Sequence, residues 1–319
     1  MRLWKEWAMS TIGWIGLGNM GSRMTANLVR AGHTVQGFDL SERAREQAAS
    51  VGVRSVNSVA EAVAGADAVF TMLPKGAHVL SVFEGESGIW ANADRRTLLI
   101  DSSTIDIETS TLLHARSGEA GFSFVDAPVS GGVSGAADGT LAFMLGGDPA
   151  DCDRAAEFIG PMSGRIFKAG GPAMGISAKI ANNMMLMINV VANSEGAQLA
   201  ERMGLDPKVF WDIVSASSGR SWAQQTWYPQ PGVSASSPAN NNYEPGFAAE
   251  LAAKDVGLAL AAGAAAGIEL PAAEIVGAQL DRLIAEGYGG RDCTLIAKYV
   301  DPAGRVAGWD GEDAGRSVA

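Results

Sequence analysis

The stretch that decides the fold is Gly16-Leu17-Gly18-Asn19-Met20-Gly21. It follows an apolar run at residues 12–15, which predicts a short buried strand, and it precedes a helix-forming stretch at residues 22–31. At such a turn Gly16 permits the tight bend, Gly18 lets the backbone approach a pyrophosphate, and Gly21 lets the helix pack closely on the strand. The helix N-terminus adds unpaired N–H groups and partial positive charge. The pattern therefore predicts a bound dinucleotide.

An acidic residue after the next predicted strand strengthens this interpretation. Asp39 follows the run at residues 34–38, where a carboxylate can accept hydrogen bonds from the ribose hydroxyls of NAD. The same carboxylate would repel the 2′-phosphate of NADP, although Arg43 is close enough in sequence to turn toward that phosphate. The sequence predicts NAD as the cofactor, against the alternative of a turn that is merely structural.

The order of strand and helix patterns predicts two domains. Strand patterns occur at residues 12–15, 34–38, 68–73, 97–100, 123–126, 141–145 and 165–167, with helical patterns between them. This alternation is typical of a doubly wound, mainly parallel sheet, whereas only helical patterns follow residue 171. We expect an α/β fold: a Rossmann-type NAD-binding domain over residues 10–172, an all-helical substrate and dimerisation domain over residues 173–303, and a flexible tail over residues 304–319.

Composition excludes several classes of partner. The net charge of -11 argues against nucleic acid and anionic membrane surfaces. The two cysteines and three histidines have neither metal-ligand nor disulfide-framework spacing, so we expect no metal and a cytoplasmic location. The first ten residues lack the apolar core of a signal peptide and read as an extension. The longest helical pattern, residues 172–203, is apolar on most faces, but its uncharged part is too short and asparagine-rich for a membrane span and predicts a buried helix.

An enzyme that transfers a hydride to NAD also needs a group that accepts a proton. Elimination leaves one candidate for this proton acceptor. No cysteine and histidine set suits a zinc alcohol dehydrogenase, and no tyrosine has a lysine four residues later, as short-chain reductases require. The histidines, His33, His78 and His114, read as loop or surface residues. Lys179 lies in the apolar helical pattern, where burial favours the neutral amine that can accept a proton. Asn183, four residues later, shares its helix face. The alternative is a lysine that extends to solvent from the first turns of the helix.

Residues 217–246 form a long irregular stretch within the helical domain. They are rich in Ser, Pro and Asn but also contain Trp222, Trp227, Tyr228 and Tyr243. Large aromatic side chains favour packing over disorder. We expect a partly irregular segment at an interdomain or substrate surface.

Five motifs in order support a resemblance to a known family. They are the stretch at 16–21, Asp-Ser-Ser-Thr-Ile-Asp at 101–106, Asp-Ala-Pro-Val-Ser-Gly-Gly at 126–132, Gly-x-x-Ala-Lys-x-x-Asn-Asn at 175–183, and Ala-Lys-Asp at 253–255. From about residue 11 to residue 300 the sequence resembles the β-hydroxyacid dehydrogenase family. The extension before residue 11 and the long tail depart from the family pattern but touch none of its motifs.

The resemblance implies a role for each motif. Ser130, Gly131 and Gly132 would bind the substrate carboxylate, Lys179 would be the general base, and Asn183 would orient both the base and the substrate. Further residues would line the cofactor: Leu73, Pro74, Thr104 and Lys254. The family also implies a homodimer or homotetramer.

The substrate implied by the resemblance is a small 3-hydroxy acid. The subfamily pattern at residues 217–222 and 238–247 favours 3-hydroxyisobutyrate, oxidised to methylmalonate semialdehyde in valine breakdown. One alternative is a sibling enzyme such as tartronate semialdehyde reductase, because only the pocket wall need differ. Another, of a different class, is a dinucleotide-binding interaction protein without turnover, which the presence of both Lys179 and Asn183 disfavours.

Overall fold

The computed structural model describes residues 9–311, so the predicted N-terminal extension lies outside the described residues apart from Met9 and Ser10. The chain divides into two compact units, one ending at Lys179 and the other beginning at Ile180. Each unit is described by itself below. The domain boundaries predicted after residues 172 and 303 stay predictions.

The first unit is built on a twisted sheet. Within the described residues its strands are β1 (Thr11–Ile15), β2 (Thr34–Phe38), β3 (Arg54–Ser55), β4 (Ala68–Thr71), β5 (Leu98–Asp101), β6 (Phe124–Asp126), β7 (Val129–Ser130), β8 (Leu141–Gly146) and β9 (Ser163–Gly170). The spatial order is β3-β2-β1-β4-β5-β6-β8-β7, with β9 paired to β8. The pairs from β3 to β6 are parallel, whereas β8 is antiparallel to β6 and β7. The predicted Rossmann-type α/β architecture is confirmed.

Helices connect the strands and cover the sheet. They are α1 (Gly21–Arg30), α2 (Glu42–Ala49), α3 (Val59–Val63), α4 (Gly76–Phe83), α5 (Ile89–Asn92), α6 (Ile107–Glu119), α7 (Gly132–Asp138) and α8 (Pro149–Ile159). Several begin at a Ser or Asp whose side chain accepts a hydrogen bond from the first turn, as Asp106 does from the Thr109 N–H at 2.7 Å. The buried core includes Trp14 stacked on Phe70, with ring centroids 4.9 Å apart. The strand ends are thereby held on a rigid base.

A long helix crosses from the first unit into the second. This helix, α9 (Met174–Arg202), has 29 residues, in agreement with the predicted pattern. The second unit continues with α10 (Pro207–Ser215), α11 (Trp222–Thr226), α12 (Ala249–Ala266) and α13 (Pro271–Leu283). A 3-10 helix follows at Cys293–Tyr299. The predicted all-helical class of this part is confirmed.

The aromatic-rich segment is packed, as predicted. Tyr228 and Tyr243 are 1% and 0% exposed, and Asn240 ties the segment together by accepting from the Gly232 N–H at 2.7 Å and donating to the Ser234 carbonyl at 2.8 Å. Trp222 is half exposed. The fold of this segment comes mainly from side-chain hydrogen bonds rather than from regular secondary structure.

The residues after 303 make specific contacts in the second unit. Trp309 packs edge-to-face on Tyr288, with centroids 5.1 Å apart, and the Lys298 ammonium lies 5.3 Å from the Trp309 ring centroid. Asn242 Nδ2 donates to Asp310 at 2.8 Å. These contacts do not match a loose tail over residues 304–311. The rest of the predicted tail, residues 312–319, lies outside the described residues.

Several apolar side chains of the second unit are exposed. One face of α9 is buried and includes Met187 and Val190, but Leu199 on the same helix is 63% exposed. The sequence predicted a buried helix, whereas this helix is buried on only part of its surface. On α10 no residue is buried, and Val209 and Ile213 are each 50% exposed. The expected homodimer or homotetramer stays a prediction. No helix within residues 9–311 combines the length and apolar character that crossing a membrane requires.

The histidines do not all match the sequence interpretation. His78 is exposed, but His114 lies in α6 with a side chain only 9% exposed, so its interpretation as a loop or surface residue is wrong. His33 lies in the loop between α1 and β2 yet is 6% exposed. Neither of its ring nitrogens has a hydrogen-bond partner among residues 9–311. Burial lowers the pKa of His33 from its usual 6.5.

We predict that His33 makes the fold sensitive to acid. The folded state binds the proton less tightly than the unfolded chain, so the free energy of unfolding is maintained above pH 6.5 and falls as the pH decreases below it. His33→Leu should reduce the loss of Tm between pH 7 and pH 5, compared with the wild type. His78→Leu, at an exposed position, is the control and should leave the loss unchanged. An identical loss of Tm in wild type and His33→Leu would contradict the prediction.

Candidate active site

On one side, the glycine-rich turn after β1 packs directly against neighbouring backbone atoms. Gly16 has φ of +100°, and a Cβ there would lie 2.3 Å from the Met72 carbonyl oxygen. A Cβ on Gly21 would lie 2.0 Å from the Gly16 oxygen. The Trp14 indole N–H donates to the same Gly16 oxygen at 2.8 Å. The turn is therefore held tightly against the end of β1 and the start of α1.

The other side of the turn is open. Gly18 is exposed, and a Cβ built on it would meet no atom of residues 9–311 within 4 Å. This opening lies just before the start of α1, where helix N–H groups and partial positive charge favour an anion. The residues present therefore fit the pyrophosphate of NAD.

Asp39 has two roles at the end of β2. Its Oδ2 accepts a hydrogen bond from the Leu17 N–H at 2.7 Å, and its Oδ1 accepts one from the Ser41 N–H at 2.8 Å. Each carboxylate oxygen can accept a second hydrogen bond, so ribose hydroxyls can still donate to it. The side chain thus fixes the glycine-rich turn and remains an acceptor for the sugar. Arg43 is exposed on α2.

A buried carboxylate organises the loops that follow β4 and β5. Asp101 is 2% exposed, and its Oδ1 accepts from Thr71 Oγ1 at 2.7 Å and from the Ser103 N–H at 3.1 Å. Ser103 Oγ in turn accepts from the Leu73 N–H at 2.9 Å. Burial raises the pKa of Asp101 to about 6, although the hydrogen bonds from Ser103 and Thr71 oppose the rise.

This network positions three predicted cofactor residues in the first unit. The Leu73 N–H donates a hydrogen bond to Ser103 Oγ, and Pro74 follows Leu73 in the same loop. Thr104 directly follows Ser103. Sequence reasoning quoted Asp101 within a motif but gave it no role. The available signal was an acid directly after the apolar run at residues 98–100, where it ends β5.

The turn after β7 suits a carboxylate. Ser130 pairs with Ala142 of β8, and the next two residues, Gly131 and Gly132, have φ of +129° and +65° and are exposed. These are backbone conformations that residues with side chains rarely adopt. The turn therefore combines a hydroxyl with backbone N–H groups that carry no bulky side chains, and such groups can bind an anionic oxygen.

Lys179 is buried at the end of the first unit. Its exposed fraction is 8%, which does not match the alternative of a lysine extending into solvent. Asn183 lies one helical turn further along α9 and is 3% exposed. A buried lysine followed by a buried asparagine at this spacing is the arrangement expected for a general base and its companion.

In the second unit, Asn183 is held by an acid that sequence reasoning missed. Its Nδ2 donates to Asp255 Oδ2 at 2.5 Å, which fixes the orientation of the amide and directs Asn183 Oδ1 away from the carboxylate. The Lys254 ammonium lies 3.1 Å from Asp255 Oδ1, near enough for an ion pair although not aligned as a hydrogen bond. Asp255 was quoted beside Lys254, but the contact spans 72 residues and has no local signal.

Two known families match the chain. Residues 11–171 match the NAD binding domain of 6-phosphogluconate dehydrogenase. Residues 173–300 match the family described as NAD-binding of NADP-dependent 3-hydroxyisobutyrate dehydrogenase. The two matches together extend over most of the chain.

Individual relatives give the same result. A probable 3-hydroxyisobutyrate dehydrogenase of Mycobacterium tuberculosis is 46% identical over 263 residues, 82% of this chain and 88% of the relative. An NAD-dependent L-serine dehydrogenase of Pseudomonas aeruginosa is 38% identical over 294 residues, 92% of this chain and 99% of the relative. A solved structure of Mycobacterium tuberculosis 3-hydroxyisobutyrate dehydrogenase with L-serine is 42% identical with a TM-score of 0.85, covering 92% of this chain and 99% of that one.

The glycine-rich turn, Asp39 and the match to an NAD binding domain indicate that the cofactor is NAD. The relatives agree on the type of reaction. The chain therefore belongs to the β-hydroxyacid dehydrogenase family, as an NAD-dependent enzyme of the 3-hydroxyisobutyrate dehydrogenase type.

Proposed function

We propose that this enzyme oxidises 3-hydroxyisobutyrate to methylmalonate semialdehyde, the step expected in valine breakdown, with Lys179 as the general base. The observation that carries the proposal is the burial of Lys179 on α9, with Asn183 one turn later. Relatives named for this substrate, at 46% and 39% identity, support the choice of acid.

The proposed roles follow from the chemistry of each group. NAD, when bound, supplies the acceptor for the hydride that leaves C3 of the substrate. The Lys179 amine accepts the proton of the 3-hydroxyl as that O–H bond breaks and the carbonyl forms, becoming an ammonium. Asn183 orients the hydroxyl, and Ser130 with Gly131 and Gly132 binds the carboxylate through N–H and O–H donors. Holding the substrate at two points places C3 and its hydroxyl for reaction.

A second candidate substrate is L-serine. It is favoured by the L-serine dehydrogenase relative at 38% identity. L-serine and 3-hydroxyisobutyrate share the carboxylate and the 3-hydroxyl and differ at C2, where one carries an ammonium and the other a methyl. The pocket wall near C2 therefore decides between them, since an ammonium needs acceptors and a methyl needs apolar surface.

We predict that 3-hydroxyisobutyrate has the highest kcat/KM among a panel of six compounds: its two enantiomers, 3-hydroxypropionate, 3-hydroxybutyrate, glycerate and L-serine. Burial of one methyl favours it over 3-hydroxypropionate by roughly 10- to 200-fold. Steady-state rates with NAD under one set of conditions provide the comparison. A higher value for L-serine would establish the second candidate, and a higher value for glycerate would indicate the tartronate semialdehyde reductase type.

For the cofactor, we predict that kcat/KM with NAD exceeds that with NADP by at least about tenfold, because the Asp39 carboxylate would repel a 2′-phosphate. The measurement is a titration of each cofactor at saturating substrate. Arg43→Ala is the companion variant and should leave the NAD value unchanged. Equal values for the two cofactors, with a loss of NADP activity in Arg43→Ala, would show that Arg43 outweighs Asp39.

For the base, we predict that Lys179→Ala lowers kcat by about 10²- to 10⁴-fold. The Kd for NAD, measured by fluorescence titration, should stay close to that of the wild type because the glycine-rich turn and Asp39 are untouched. Lys208→Ala, an exposed lysine on α10, is the matched control and should keep wild-type kcat. A Lys179→Ala variant with more than about a tenth of wild-type kcat would exclude this lysine as the base.

A further inference from the structure

The start of α9 is held by a side chain from a distant strand. Asp126, the last residue of β6, is 2% exposed. Its Oδ1 accepts from the Ala173 N–H at 3.0 Å and its Oδ2 accepts from the Ile176 N–H at 2.8 Å. The first N–H groups of a helix lack intrahelical partners, and a carboxylate that accepts from them stabilises that end of the helix. Asp126 therefore acts as the N-cap of α9 from about fifty residues away in sequence.

Backbone atoms pack closely around the Asp126 carboxylate. A Cβ on Gly175 would lie 2.2 Å from the Met144 carbonyl oxygen and 2.8 Å from Asp126 Oδ2. A Cβ on Gly146 would lie 2.5 Å from Asp126 Oδ1. Ala173 has φ of +60° and is 2% exposed, an unusual conformation for a residue with a side chain. The helix start is thus pressed against the carboxylate, and a small shift would break the contact.

His114 also contacts the Asp126 carboxylate. Its Nε2 lies 2.7 Å from Asp126 Oδ1, and the two side chains are 9% and 2% exposed. The imidazole ring packs edge-to-face on Phe124, with centroids 4.7 Å apart. The ring is therefore fixed by packing and holds Asp126 in the orientation that α9 requires.

Lys179 lies five residues after Met174, the first residue of the helix, so its position depends on how that end is held. A general base must come within hydrogen-bond reach of the proton that it accepts. A displacement of about 1 Å in a reacting group can cost roughly 100-fold in rate. An end that frays would spread Lys179 over several positions.

We propose that Asp126 and His114 are positioning residues that fix the start of α9 and thereby place Lys179 for proton transfer. Neither side chain acts on the substrate itself in this proposal. The inference depends on the proposed role of Lys179 as the base. A merely structural contact would stabilise the fold but would leave kcat unchanged well below the Tm, so the two roles can be separated.

The test is a double-mutant cycle between Asp126 and Lys179. Asp126→Asn keeps the shape of the side chain but replaces one acceptor oxygen with an NH₂ group. The single remaining oxygen cannot accept from all three groups that the carboxylate contacts, the Ala173 N–H, the Ile176 N–H and His114 Nε2. In the wild-type background we expect kcat to fall by about 10- to 100-fold, with KM and the Kd for NAD changed by less than about threefold. In Lys179→Ala the same substitution should lower the residual kcat by less than about twofold, because the group it positions is gone.

Two substitutions of His114 provide an independent arm should Asp126→Asn fail to fold. His114→Gln retains an N–H donor near the place of Nε2 and should keep at least about half of wild-type kcat. His114→Leu removes the donor and should lower kcat by about three- to tenfold, again without weakening NAD binding and without a further loss in Lys179→Ala. His78→Leu, an exposed histidine on α4, is the matched control and should keep wild-type kcat.

Equal fractional losses from Asp126→Asn in the two backgrounds would overturn the inference, as would a loss of NAD affinity in step with kcat. If only the His114 arm can be measured, equal rates for His114→Gln and His114→Leu would overturn it. These outcomes can be distinguished from failure of the proposed function. If Lys179 is not the base, the Lys179→Ala variant itself would keep more than about a tenth of wild-type kcat.

Discussion

Buried carboxylates at the carboxyl ends of neighbouring parallel strands are the interaction on which the first unit's site residues depend. Asp101 and Asp126 are register partners on β5 and β6, and both are 2% exposed. A buried carboxylate is costly unless its oxygens receive hydrogen bonds. Asp101 receives them from the Thr71 hydroxyl and the Ser103 N–H, and Asp126 receives them from the Ala173 and Ile176 N–H groups at the start of α9. A displacement that broke these hydrogen bonds would leave a buried acid unsatisfied, which opposes movement of these loops and of the start of α9.

Much of the first unit could be predicted because its signals are local. The glycine-rich turn, the alternating strand and helix patterns and the length of α9 are each encoded within a short window of sequence. The strands β3 and β7 were missed because each has two residues, too few for any periodicity. The 3-10 helix Cys293–Tyr299 is capped by Asp292, whose side chain also accepts from the N–H groups of Gly246 and Phe247, which are distant in sequence.

The parts of the candidate site that sequence could not give are long-range hydrogen bonds. His114 was taken as a loop or surface residue because nothing within α6 indicates that Asp126 lies beside it. Asp255 stood within a quoted motif, yet its bond to Asn183 requires two helices far apart in sequence to pack together. Sequence patterns therefore predicted which residues act on the substrate and the cofactor, and those roles stay predictions. They did not indicate which residues hold those side chains in place.

Asp39 bears on the redesign of coenzyme choice. A designer seeking a variant that uses NADP would first replace this acid, since its charge opposes a 2′-phosphate. Both oxygens already bind backbone N–H groups, one of them that of Leu17 inside the glycine-rich turn. Removing the carboxylate would thus relax the turn that must bind the pyrophosphate, whichever coenzyme is offered. Redesign should instead retain Asp39 and add positive charge at an adjacent accessible position such as Leu40, which is 90% exposed.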